Sequence, residues 1–265
     1  MHKGAVKLPL ERDAVKASAA DTKCCLTASV WAAESGKEGA IRWLLGREDV
    51  NPNTLDTGFR WAPLGRVVWA EHAGVVKLLS KRENINRNTA EAKHGRTPLG
   101  WAAMGGHEEV VKLLLDREDI DPNITDTEHG RTPLVWATDR LHEGVIKLLL
   151  QREDIDPNIA DVRYGRTPLT LAAMDGHEGA VKLLLQRVDI NPNVGDIEHG
   201  LTPLMWAEQR AHEGIKQLLL ARVNVNADTQ THTEKTAPVI DTPIEPAGTM
   251  QLWVQGWKSV NHVAQ

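Results

Sequence analysis

Residues 96–130, RTPLGWAAMGGHEEVVKLLLDREDIDPNITDTEHG, contain the pattern that decides the fold. Thr97 is a good helix N-cap and Pro98 suits the first helical position, so a short apolar helix is expected to begin here. Gly105-Gly106 ends that helix, and a second helix follows from His107 with glutamates at its positive end. A proline break and a run of turn-forming residues complete the unit. The stretch therefore predicts two short helices and a projecting turn.

The same unit recurs with a fixed period of 35 residues. Four threonines that begin equivalent segments are each 35 residues apart, and two further steps of 35 towards the amino end reach segments of the same kind. The six unit starts are Thr27, Ala62, Thr97, Thr132, Thr167 and Thr202. Two short helices and a turn cannot bury their apolar surface alone, but units stacked side by side can cover one another. The period therefore predicts a solenoid in which each unit packs only on its neighbours.

The period also predicts the organisation of the chain. Six repeats are expected at about 27–61, 62–96, 97–131, 132–166, 167–201 and 202–227. Residues 1–26 align with the second half of an earlier repeat, in which Pro9 falls inside a helix, so they are interpreted as a truncated repeat at the amino-terminal edge. We expect a fragment of a longer array rather than a truncated gene. Residues 228–265 are rich in threonine and proline near their start and predict a disordered tail or a weak cap.

Composition and charge exclude several classes of protein. Apolar residues make up 41% and charged residues 25% of the chain, which is globular composition. The net charge of −5 provides no general basic field for nucleic acid or an anionic membrane. The start of the sequence lacks the apolar stretch typical of a signal peptide, and no apolar run is long enough to span a bilayer. The two adjacent cysteines suit a reducing compartment. The chain is therefore expected in the cytoplasm or the nucleus, and not to be secreted.

Signatures of catalysis and of metal binding are missing from the sequence. No glycine-rich loop ends in Lys-Ser or Lys-Thr, no Gly-x-Ser-x-Gly occurs, and no carboxylate pair stands apart from the repeat. Five histidines share the period: His72, His107, His142, His177 and His212. Equivalent positions in stacked units lie about 8–10 Å apart, too far to share one zinc ion, so these histidines are interpreted as structural residues at helix starts. We expect no catalytic residue, no metal, no cofactor and no small-molecule substrate.

The repeated Thr-Pro-Leu, Ala-Ala, Gly-His, Val-Val and Leu-Leu segments resemble the ankyrin repeat over about residues 27–227. The resemblance implies an all-α ankyrin-repeat solenoid, elongated and gently curved, with paired short antiparallel helices and projecting hairpin loops. The period of 35 exceeds the family's usual 33 or so, and the added length lies around residues 121–124. The family's histidine after Thr-Pro-Leu is replaced in every unit. Near-identical units with Arg-Glu-Asp-Ile-Asp-Pro-Asn resemble the arrays of fungal NACHT-ankyrin receptors, although this sequence contains no nucleotide-binding module.

The resemblance implies a non-catalytic scaffold, monomeric, that binds another protein on its hairpin tips and on the inner face of its first helices. The residues carried over to that surface carry both charges: Lys93, His94, Arg96, Met104, Glu128, His129, Arg131, Asp139, Arg140, Arg163, Tyr164, Arg166, Met174, Asp175, His199, Gln209 and Arg210. A mixed surface suits a polar protein partner better than a polyanion. Two alternatives stay open: a detached ligand-sensing segment of a NACHT-type receptor, and a decayed array without a selected partner.

Three sets of repeated side chains admit more than one interpretation. Tryptophans 31, 101, 136 and 206 share a slot with Leu171 and are expected to pack in the core, whereas Trp61 and Trp69 could be buried or exposed. The arginines at 96, 131 and 166 could pair with Glu128 or Glu198, or could recognise acidic groups of a partner. The aspartates at 21, 56, 126, 161 and 196 are interpreted as Asx-type braces of the turns.

Overall fold

The computed structural model describes residues 27–48, 50–58 and 60–222. The two edges predicted from the sequence, 1–26 and 228–265, lie outside the described residues. Within the described ranges the chain forms helices joined by turns, with no β-strand. The all-α class predicted from the sequence is confirmed.

The helices come in six successive pairs. Their bounds are α1 Ala28–Glu34 and α2 Glu38–Leu45, α3 Pro63–Trp69 and α4 Ala73–Ser80, α5 Pro98–Gly105 and α6 Glu108–Leu115, α7 Pro133–Asp139 and α8 Glu143–Leu150, α9 Pro168–Asp175 and α10 Glu178–Leu185, and α11 Pro203–Gln209 with α12 at 213–222. Each first helix packs on the first helix of the neighbouring pair, and the second helices from α2 to α10 do the same. The core is therefore continuous between neighbours, as stacking of the repeated unit requires.

The first helix of most pairs starts as the sequence predicts. Thr97 Oγ1 accepts a hydrogen bond from the Gly100 N–H at 3.1 Å, and Pro98 fills the first helical position. The same cap is made by Thr27, Thr132, Thr167 and Thr202. Ala62 stands in the threonine position before α3 and makes no side-chain cap. At the other end of α5, Gly106 takes the left-handed conformation with φ of 75°.

The residues that lengthen the repeat join each pair to the next. Asn123 Nδ2 donates to the Asp154 carbonyl at 2.7 Å, and Asn123 Oδ1 accepts from the Asp156 N–H at 2.9 Å. Equivalent pairs of bonds are made by Asn53, Asn88 and Asn158. We call these four residues the asparagine ladder. The longer period thus supplies a second row of contacts between repeats, besides the apolar core.

Replacing Asn123 with alanine is expected to lower the free energy of unfolding by about 1–2 kcal/mol, because two bonds between repeats are lost and each contributes about 1 kcal/mol net. Denaturant unfolding followed by circular dichroism measures the change. The matched control is Asn191→Ala, since the Asn191 side chain accepts one bond, within its own turn, from the Asn193 N–H. An equal loss for both variants would contradict the ladder's role.

Arg87 takes the place of a proline found at the equivalent position of the other repeats, at 52, 122, 157 and 192. Its side chain is fully buried, donates to the Ser80 and Ile85 carbonyls at 2.8 and 3.0 Å, and pairs with Asp119. It also donates to the Arg82 carbonyl. In the next repeat the carbonyls that correspond to those of Ser80 and Arg82 belong to Leu115 and Arg117, and they accept instead from Arg152 of the following pair. Arg87 therefore donates hydrogen bonds to the carbonyls at the end of α4 from within its own repeat. In the next repeat an arginine of the following pair makes the equivalent bonds.

Candidate partner-binding surface

A buried carboxylate shapes each turn between helix pairs. Asp126 Oδ1 accepts from the N–H groups of Glu128 and His129 at 3.0 and 2.6 Å, and Gly130 closes the turn with φ of 65°. Asp56, Asp161 and Asp196 accept equivalent bonds, and so does Glu91, which the aspartate pattern did not include. The brace predicted for these aspartates is confirmed, except for Asp21, which lies outside the described residues. We call residues 91–96, 126–131, 161–166 and 196–201 the hairpin tips.

Main-chain hydrogen bonds join each hairpin tip to the next. The N–H groups of Thr127, Val162 and Ile197 donate to the carbonyls of His94, His129 and Tyr164 in turn, at 2.8–2.9 Å. Because both the inside of each tip and the link between tips are bonded, the side chains that point outwards are held on a fixed frame.

The shared tryptophan slot is a packing position. Trp101, Trp136 and Trp206 are buried, at 8%, 3% and 5% exposure, which confirms the sequence interpretation for these three. The indole N–H of Trp136 donates to Asp126 at 2.6 Å, and that of Trp206 donates to Asp196 at the same distance. Burial opposes ionisation of Asp196, but the hydrogen bonds from the His199 N–H and the Trp206 indole outweigh it and lower the pKa of this carboxyl. The slot therefore ties a first helix to its own tip.

Three arginines that the sequence placed on the partner surface lie against aromatic rings. The guanidinium carbon of Arg96 is 4.7 Å from the Trp101 ring centroid and 4.5 Å from that of Trp136. The guanidinium carbon of Arg131 lies 4.6 Å from the centroid of the same Trp136 ring. Arg166 lies 4.5 Å from the Tyr164 ring. Together we call Arg96, Trp101, Arg131, Trp136, Tyr164, Arg166 and Trp206 the arginine–tryptophan stack.

Each arginine of the stack is also paired with a carboxylate. Arg96 Nη2 lies 2.9 Å from Glu128 Oε2, and Arg166 Nη2 lies 3.1 Å from Glu198 Oε2. Arg131 Nη1 lies 3.1 Å from an oxygen of Asp139. The three side chains are only 8–14% exposed, so their chief role in the structure is to join neighbouring repeats. The sequence raised the ion pairs as one of two interpretations but did not indicate the ring contacts.

The two remaining inner tryptophans differ from each other. Trp61 is 6% exposed, occupies the position that Arg96 holds one repeat later, and stacks on Trp101 with 5.2 Å between ring centroids. Trp69 is 49% exposed, and the guanidinium of Arg66 lies 5.1 Å from its ring centroid. Of the two, Trp69 alone presents a broad apolar face to solvent.

The other predicted surface residues lie on the tips and at the ends of the first helices. Exposed ones are Lys93, Glu128, Arg140, Arg163, Asp175, His199, Gln209 and Arg210. Half-buried ones are His94, Met104, His129, Asp139, Tyr164 and Met174. Val162 and Ile197, each 70% exposed on neighbouring tips, were not among the surface residues predicted from the sequence. The sequence did contain a signal for them. The equivalent residues of the earlier tips are the small residues Thr57, Ala92 and Thr127, whereas these two tips carry larger apolar side chains.

The described residues offer neither a metal-ion site nor a membrane-spanning helix. Across residues 27–48, 50–58 and 60–222, no three histidine, cysteine or acidic side chains converge closely enough to hold a metal ion. None of the helices in those ranges has the length and apolar character needed to cross a bilayer.

Comparisons with known proteins agree on one family. A family model described as "Ankyrin repeats (3 copies)" matches residues 29–126, 68–161 and 153–231. The structure is similar to the ankyrin repeat domain of Bcl-3, a member of the IkappaB protein family, with 24% identity, a TM-score of 0.65, and coverage of 74% of this chain and 86% of that chain. The ankyrin repeat protein EF0377 and an ankyrin repeat domain from Acinetobacter baumannii AYE each show 23% identity, a TM-score of 0.66, and coverage of 73% and 96%. No curated protein matches the sequence.

Proposed function

Because the chain belongs to the ankyrin-repeat family, whose members generally serve as protein-interaction modules, we propose that it is a non-catalytic scaffold that binds another protein. The partner contacts the hairpin tips and the exposed ends of the first helices. In this proposal the chain acts as a monomer in the cytoplasm.

The observation that carries the proposal is the set of outward side chains held on the bonded tips. Lys93, Glu128, Arg163 and Glu198 occupy one position of successive tips and alternate in charge. Val162 and Ile197 add two exposed apolar side chains beside the last two of them. Such a surface favours a protein that offers both charges around an apolar contact, and its rigidity lowers the entropy cost of binding.

The proposal is tested with the double variant Val162→Asp and Ile197→Asp, which places carboxylates on the apolar part of the tips. Proteins captured by the wild-type chain are expected to be lost by this variant, because an apolar contact would then bury unpaired charge. The matched control is Val188→Asp, since Val188 is 89% exposed but lies in the loop after α10 rather than on a tip.

Unchanged unfolding curves for both variants show that the fold is retained. Capture that survives the tip variant and fails with the control would contradict the assignment of the surface, and no specific capture at all would favour a decayed array. Charge reversal of Arg131 and Arg166 is unsuited to this test, because it would disrupt the arginine–tryptophan stack itself.

A second candidate rests on the identical Arg-Glu-Asp-Ile-Asp-Pro-Asn segments at 117–123 and 152–158 and the close similarity of the middle repeats. They favour a sensing segment of a NACHT-type signalling receptor. A phosphate-binding loop encoded in frame upstream of this sequence would support that role, and an unrelated upstream sequence would contradict it.

A further inference from the structure

The helix pairs are of two kinds that alternate along the chain. After the first helix of every pair, one residue takes the left-handed conformation. In the first, third and fifth pairs that residue is a glycine: Gly36, Gly106 and Gly176. In the second, fourth and sixth pairs it carries a side chain: Glu71, Leu141 and Ala211. The structure therefore repeats every two pairs in this respect, rather than every pair.

The glycine lets the histidine of the next pair reach a carbonyl. His142 Nε2 lies 3.1 Å from the Met104 carbonyl oxygen, and a Cβ added to Gly106 would lie 2.6 Å from the His142 ring. The same bond joins His72 to the Glu34 carbonyl at 2.8 Å and His212 to the Met174 carbonyl at 3.2 Å. We call these three bonds the histidine anchors. Each one follows a glycine in the preceding pair.

Where a side chain replaces the glycine, the anchor is missing. His177 follows Leu141, and its half-buried ring has no hydrogen-bond partner among the described residues. Burial lowers the pKa of His177, as expected for an imidazole that loses water. His107 follows Glu71 and pairs instead with the exposed Glu71 carboxylate, at 3.1 Å from its Nδ1.

The ion pairs between tips alternate in the same phase. Arg96 with Glu128 joins the third pair to the fourth, and Arg166 with Glu198 joins the fifth to the sixth. Between the fourth and fifth pairs, Arg163 stands in the position of those glutamates, and Arg131 pairs with Asp139 of the helix that directly follows its own tip. This junction therefore lacks both the histidine anchor and the close ion pair, and Arg131 approaches Asp161 only to 3.7 Å. It retains the bonds of Arg187 to the Leu150 and Arg152 carbonyls, but the junction before it has the equivalent bonds from Arg152 as well.

We infer that the array is built from blocks of two helix pairs and opens reversibly at the junction between the fourth and fifth pairs, where Leu141 stands in the place of the glycine. Asn158 of the asparagine ladder and the Val162 N–H bond to the His129 carbonyl still cross this junction. The junction therefore acts as a hinge rather than a break. Arg140 and Tyr164 lie on its two sides, so its opening changes the spacing within the candidate surface.

The test is residue-resolved native-state hydrogen exchange on the full chain. Amides at the start of α10 are expected to exchange about five- to tenfold faster than those at the start of α8, a factor that matches the loss of about one net hydrogen bond. In Leu141→Gly the start of α10 is expected to slow by a similar factor, because His177 gains access to the Asp139 carbonyl, the equivalent of Met104.

A double-mutant cycle separates the anchor from the relief of backbone strain. Leu141→Gly removes the same left-handed strain whether or not His177 is present, so the slowing in a His177→Ala background reports strain alone. The inference predicts the larger slowing when His177 is retained. Equal slowing in both backgrounds, or equal exchange at α8 and α10 in the wild type, would overturn it. This inference concerns the fold and stands whether or not the proposed binding partner is found.

Discussion

Replacing Trp136 with alanine is expected to lower the free energy of unfolding by about 3–5 kcal/mol, the range for deleting a buried aromatic side chain. Trp136 is 3% exposed, contacts the guanidinium groups of Arg96 and Arg131 through its ring, and donates its indole N–H to Asp126. Its loss leaves a cavity, removes the ring that two guanidinium groups contact, and deprives a buried carboxylate of a donor. Three separate contacts between tip and helix are lost at once.

Denaturant unfolding followed by circular dichroism measures the effect, with Trp69→Ala as the matched control. Trp69 is 49% exposed, so its truncation is expected to cost less than about 1 kcal/mol. Trp136→Leu is expected to recover part of the stability, because Leu171 fills the same slot in the fifth pair. If the alanine variants at 136 and 69 lost the same stability, the arginine–tryptophan stack would not be a stabilising element.

Replacing Gly95 with alanine is expected to lower the free energy of unfolding by about 2–5 kcal/mol. Gly95 has φ of 69°, and a Cβ at this position would lie 2.8 Å from the Thr127 backbone nitrogen of the next tip. The left-handed conformation alone costs a non-glycine residue about 1–2 kcal/mol, and crowding of a packed site adds about 1–3 kcal/mol. The clash falls on the residue whose N–H donates to the His94 carbonyl, so the link between tips is strained as well.

Gly200 provides the control for the crowding against the next tip. It has the same φ of 69°, but a Cβ added there would meet nothing within 4 Å. Gly200→Ala is therefore expected to cost only the conformational term, about 1–2 kcal/mol, and the difference between the two variants measures the contact between tips. Calorimetric unfolding of both proteins gives the comparison. Equal losses would show that Gly95 is needed for its own conformation only.

Local signals in the sequence predicted the helices and the turns. The caps at Thr97 and Thr132 and the braces at Asp126 and Asp161 depend on residues a few positions apart, and the fixed period extended each assignment along the chain. The burial of Trp101, Trp136 and Trp206 followed from the exchange of tryptophan with leucine in one slot. These features could be predicted from the residues of one repeat, without knowing which side chains a neighbouring repeat contributes.

The sequence could not show which side chains from different repeats meet. Arg96 contacts Trp136 and Glu128, which lie 40 and 32 residues further along, and only the stacked structure shows that all three converge. The sequence left open whether Trp61 is buried or exposed, because its equivalents at 96, 131 and 166 are arginines. It occupies the buried place that Arg96 holds one repeat later. Arg87 stands where other repeats have proline, and nothing local indicated that its charge would be buried.

A further contact between repeats explains why the second residue of most second helices is a glycine. The Glu108 carboxylate lies where a Cβ on Gly144 would fall, and Glu38, Glu143 and Glu178 lie similarly against Gly74, Gly179 and Gly214. Ala73 replaces the glutamate in the second pair, and there the next repeat carries Glu109 in place of the glycine. The substitution pattern between repeats thus records a contact, but only the stacked structure identifies it.

The side chains of the arginine–tryptophan stack stabilise the array, and a different set of side chains on the same tips faces solvent. The guanidinium groups that seemed available for recognition are committed to their neighbours, while Lys93, Arg163 and Ile197 extend outwards from the same tips. Substitutions at those outward positions therefore change what the tips display without touching the contacts that stabilise the repeats. Under the proposed function, the binding surface and the architecture of the array can diverge independently of each other.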